Sequence, residues 1–90
     1  MIYSSKNGDI DLSKLTRLYP AALVEVDGEV AEMSLEWIDM NGDKVKLLNY
    51  VLVFDFTPPG SEQRDKKVLE FQNKDELINT MGEVAQFFQK

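Results

Sequence analysis

The chain has 90 residues, 43% of them apolar, with 16 acids against 10 bases and neither cysteine nor histidine. That length suits one domain over 1–90, and the missing residue types close off disulfides, thiolate or imidazole metal sites, and the Ser-His-Asp and Cys-His mechanisms. A net charge of −6 repels a phosphate backbone on average, and the one basic cluster, Arg64, Lys66 and Lys67, is diluted by Glu62 and Asp65, so nucleic acid is not an expected partner.

From Met1 to Lys6 there is no apolar leader core, and no stretch approaches the ~20 apolar residues of a spanning helix. The expectation is a cytoplasmic chain with no membrane role. Residues 1–12 read as a short hairpin about Asn7-Gly8, with Ile2, Tyr3, Ile10 and Leu12 as its apolar members. Asp11 to Tyr19 fits two patterns. Leu12, Leu15 and Leu18 recur at helical spacing with Ser13 as a cap, whereas Leu15, Arg17 and Tyr19 alternate as in a strand. Pro20 marks a boundary in either case, because it disfavours helix at Tyr19.

Two Gly turns, Asp27-Gly28 and Asn41-Gly42, then suggest a meander of strands at 21–27, 29–38 and 44–56. Two-residue hairpins need positive φ, which Gly supplies at low cost, and they fix register. Pairing Val26 with Glu29 sets Val24 opposite Ala31 and Ala22 opposite Met33. Pairing Met40 with Asp43 sets Trp37 opposite Lys46, Leu35 opposite Leu48 and Met33 opposite Tyr50. Both registers put Met33, Leu35 and Trp37 on one face with Val24, Leu52 and Phe54, and predict Trp37 buried against the C-terminal helix. The third strand is too long to stay flat, and Asn49 marks a bend or bulge.

Residues 57–65, with Pro58-Pro59-Gly60, read as a mobile loop, and 66–72 as a further strand. The chain closes with a predicted helix over 74–89. Asn73 caps it, Glu76 completes a capping box, and Leu77, Ile78, Met81, Val84, Ala85 and Phe88 form its apolar stripe.

Candidate chemistry is sparse. Asp39-x-Asn41-x-Asp43 begins like a calcium loop, but its Gly stands at position four rather than six and Tyr50 occupies position twelve. The scattered glycines form no phosphate-binding motif. Glu25, Asp27, Glu29, Glu32 and Glu36 crowd one hairpin, yet nothing in the pattern raises a carboxyl pKa, so a carboxylate enzyme ranks last. No catalytic, cofactor or metal residue is assigned. One feature stands apart: the outward face of the meander carries Ile38, Val45, Leu47, Val51 and Val53, where a half-wet antiparallel sheet is usually polar. Either other strands cover that face, or it binds a partner.

The expected fold is α+β, a curved, mainly antiparallel sheet of five or six strands packed by one C-terminal helix. Short strands followed by one helix resemble the pleckstrin-homology-like barrel, which implies a partly closed form but no particular function. The leading function is a non-catalytic binding module working through protein contacts, including self-association, at Ile38, Leu47, Val51 and Val53. The alternative is a small-molecule or peptide binder using a cleft between helix and sheet.

Overall fold

Asp27 and Gly28 take φ of 52° and 82°, the positive pair that a tight hairpin demands, and the strands on either side pair as the turn dictates. Strand β3 (Arg17–Val26) runs antiparallel to β4 (Glu29–Met33), with Val26 opposite Glu29, Val24 opposite Ala31 and Ala22 opposite Met33. In this computed structural model, which describes residues 1–88, the fold is α+β with two antiparallel sheets and two helices. Strands β1 (Ile2–Ser5) and β2 (Gly8–Asp11) form a separate hairpin with Tyr3 opposite Ile10. The larger sheet has the order β4-β3-β5-β6, with β5 at Lys46–Asp55 and β6 at Lys66–Phe71. The two sheets do not close into a barrel, so the closed form suggested by the sequence is not adopted.

The second turn departs from the sequence expectation. After Met33 the chain enters helix α1 (Leu35–Asn41) instead of continuing as a strand. Ser34 Oγ accepts the Trp37 amide proton at 3.1 Å, and Asn41 Nδ2 donates to the Trp37 carbonyl at 3.2 Å. These bonds offer the backbone a helical solution over a segment whose apolar spacing fits either form. Asn41 and Gly42 have φ of −129° and −61°, so neither adopts the hairpin conformation. The pairings of Trp37 with Lys46, Leu35 with Leu48 and Met33 with Tyr50 therefore do not exist. Instead β5 pairs directly with β3, and Tyr50 lies opposite Ala22. Trp37 is half-buried on α1 and does not join the buried core.

The ambiguous segment resolves into a 3-10 turn at Leu12–Lys14 followed by β3. Pro20 stands inside β3 opposite Leu52, where its missing N–H is tolerated because β4 pairs with β3 only from Ala22 onward.

One core contains Tyr3, Ile10 and Leu12 from the hairpin, Leu52, Phe54, Leu69 and Phe71 from the sheet, and Leu77 and Val84 from helix α2 (Lys74–Ala85). Asn73 Oδ1 accepts the Glu76 amide proton at 2.8 Å, which fixes the start of α2. A 3-10 turn at Gln86–Phe88 follows, and residue 89 of the expected helix lies outside the described residues. Residues 57–65 are exposed or half-buried, and their ends are tied. Phe56 N donates to the Asp65 carbonyl at 2.7 Å and Asp65 N to Thr57 Oγ1 at 2.9 Å. Among the described residues, no helix is long and apolar enough to cross a membrane.

Candidate interaction face

The larger sheet has two faces, and only one carries helices. Leu18, Leu52, Phe54, Leu69 and Phe71 belong to the face that α2 and the hairpin pack against, together with Leu35 of α1. On the other face, Ala21, Val51 and Val53 form a second buried cluster, with Tyr19 and Leu23 packed against it. No helical residue belongs to this second cluster.

The register explains which side chains share this face. Along β3 it carries Arg17, Tyr19, Ala21, Leu23 and Glu25, since alternate residues of a strand point the same way. Val53 and Val51 lie opposite Tyr19 and Ala21, Val68 of β6 lies opposite Val53, and Glu32 of β4 lies opposite Leu23. Val51 and Val53 are only 1% and 2% exposed. They occupy a central strand, where the larger Tyr19 and Leu23 pack against them and Val68 lies opposite Val53. Val68, on an edge strand with no outer neighbour among the described residues, is 48% exposed. The face is therefore a dry floor with an accessible apolar rim.

Along β3 its charges run from basic to acidic, while Asp55, Lys46 and Glu70 share the same face. At one end Lys66 Nζ donates to Tyr19 Oη at 3.0 Å, so Lys66 reaches across β5 to the Tyr19 ring, and the Arg17 guanidinium lies 4.9 Å from that ring's centre. Lys66 Nζ also lies 5.6 Å from the ring centre, so both cations make contacts of the cation–π kind. Asp55 sits between them in the register, and its carboxylate accepts the Thr57 amide proton at 2.9 Å. Bonds from the Thr57 hydroxyl and then its N–H hold the Asp55 carboxyl below the usual carboxylate range. At the opposite end stand Glu25 and Glu32, with Lys46 opposite Glu25. The one ion pair among the described residues, Lys74 with Asp39 at 3.7 Å, lies elsewhere.

The four residues singled out in the sequence are split by this arrangement. Val51 and Val53 form the floor of the open face. Ile38 is carried by α1. Leu47 is 39% exposed at the far end of β5, and a bulge sends it to the other side. Leu23 pairs with Asn49 but Val24 with Leu47, so Leu48 is the extra residue and the alternation inverts across it. Tyr19, Leu23 and Val68 complete the face. The alternation Leu15-Arg17-Tyr19 carries the signal for Tyr19, and Pro20 masks its continuation along β3 to Leu23.

Other concavities are open and mixed in character. A groove of about 270 Å³ lies between the hairpin, β6 and α2, where Tyr3 Oη donates to Glu83 Oε2 at 3.2 Å. Burial first, and the Glu83 carboxylate second, raise the Tyr3 pKa. Another, of about 390 Å³, is lined by Asp11, Lys14, Phe56, Asp65 and Lys67. Among the described residues, no three acidic side chains gather as a metal site would require.

Compared with known proteins, the chain matches no family model, no curated protein and no solved structure.

Proposed function

We propose that this chain is a non-catalytic binding module acting through protein contacts at the sheet face formed by Tyr19, Leu23, Val51, Val53 and Val68. The observation that carries the reading is a buried apolar cluster on a sheet face to which no described helix contributes. Antiparallel sheets that leave one face in water normally place polar residues along its central strands, and here the middle of those strands carries Ala21, Val51 and Val53, with Asn49 beside Leu23. A second protein surface laid on that rim would remove Tyr19, Leu23 and Val68 from water, the gain that drives most association.

A photo-crosslinking residue, benzoylphenylalanine, tests the reading. Placed at Val68 in the source cell, it yields covalent protein adducts, whereas the same residue at Glu62 in the exposed loop yields few. Equal labelling at both positions, or none at Val68, removes the support for this face.

A further inference from the structure

We infer that the partner at this face is a second copy of the same chain, laid on it by a two-fold axis that inverts the strand direction. This deepens the interaction reading and rests on it.

The argument begins with the order of charges along one strand. On the open face β3 runs from Arg17 through Tyr19, Ala21 and Leu23 to Glu25. It is basic at one end, apolar in the middle and acidic at the other. Lys66 reinforces the basic end, since its ammonium rests against Tyr19 Oη, and Glu32 reinforces the acidic end beside Leu23. The central strand β5 runs oppositely, from Lys46 near Glu25 to Asp55 near Arg17.

A closed dimer requires a self-complementary patch, in which residue i meets residue j and j meets i. A strand whose ends carry opposite charge meets that condition when a copy is inverted upon it. With the axis over Ala21 and Val51, Tyr19 of each chain packs on Leu23 of the other. Arg17 and Lys66 then face Glu25 and Glu32, and Lys46 faces the Asp55 end. Ala21 at the axis leaves room for the sheets to approach to the ~10 Å of face-to-face packing, and their twist sets the strands about 30° apart. Within one chain Asp55 lies between Arg17 and Lys66, and Lys46 lies opposite Glu25, but none of Arg17, Lys66, Glu25 or Glu32 joins the one ion pair among the described residues.

A charge-swap experiment tests this directly. The native chain is expected at twice its chain mass by native mass spectrometry and light scattering. Arg17→Glu with Lys66→Glu makes both ends of the face acidic, and Glu25→Lys with Glu32→Lys makes both basic, so each double variant alone is expected as a monomer. Mixed one to one, they restore a species of double mass containing one of each. The milder Arg17→Gln with Lys66→Gln adds no acid beside Asp55 and guards against misfolding. It weakens association by about tenfold, since each exposed pair contributes only a small factor. Added salt weakens the native dimer in the same direction.

A native chain that stays monomeric, a swapped variant that still dimerises alone, or a mixture that fails to pair overturns the inference. A crosslinker at Val68 separates the two levels. Adducts to a different protein from a monomeric chain sink self-association and leave the interaction reading standing. No adduct at all removes both.

Discussion

Ser34 stands one residue beyond the end of β4, and its Oγ holds the Trp37 amide proton at 3.1 Å. That bond turns an alternating apolar run into the first turn of α1. It also decides sheet order, because β4 stops and β5 is left to pair with β3.

Ser34→Ala should therefore destabilise the fold by about 0.5–2 kcal/mol, the usual loss for an N-cap, while Ser34→Asp keeps most of it. Thermal or urea melts measure the difference. An alanine variant as stable as the native chain would contradict the cap.

The two Gly turns invite a paired comparison. Gly28 has φ of 82°, so Gly28→Ala should cost about 1 kcal/mol or more. Gly42 has φ of −61°, and an added Cβ would meet Ile38 Cγ2 at 3.4 Å, so Gly42→Ala should be close to neutral. Denaturant midpoints decide it. The opposite ranking would place a hairpin at Asn41-Gly42 after all.

Much of the fold was legible where local chemistry left one choice. Asp27-Gly28 set a register that the structure keeps through Ala22 and Met33, and Asn73 marked the start of α2. The segment from Met33 to Asn41 was not legible. Over seven residues, Leu35, Trp37 and Ile38 satisfy both a two-residue and a three-to-four-residue period, and only the Ser34 cap separates the two. The candidate face was half legible for a related reason. Val51 and Val53 follow from strand alternation. Leu47 does not, because the bulge beside Asn49, foreseen as a bend, reverses the alternation beyond it.

Core and margin should separate clearly under truncation. Leu77 and Phe54 are fully buried in the main cluster, so Leu77→Ala should cost about 2–5 kcal/mol and Phe54→Ala about 3–5. Trp37 is half-buried on α1, and Trp37→Ala should cost less than either, with native fluorescence partly quenched by added iodide. A fully protected tryptophan would instead put Trp37 in the core.

Acid should weaken the fold through Asp55. Thr57, by its hydroxyl and then its N–H, holds the Asp55 carboxyl below its usual value, and the Ser13 N–H and hydroxyl do the same for Asp11. A carboxyl with a depressed folded pKa binds its proton more readily in the unfolded chain. Its contribution is complete above the unfolded value of ~3.9 and is lost as the pH falls through the folded one. Stability should thus decline as the pH falls through the unfolded value of ~3.9 and on through the lower folded one. Asp55→Asn keeps an oxygen for the Thr57 N–H but cannot titrate, so its stability should be lower near neutrality and change less over the same interval. Chemical melts at several pH values measure both slopes. Parallel slopes for the native chain and Asp55→Asn would mean that Asp55 carries none of the acid sensitivity, and that its bonds to Thr57 hold equally well without the charge.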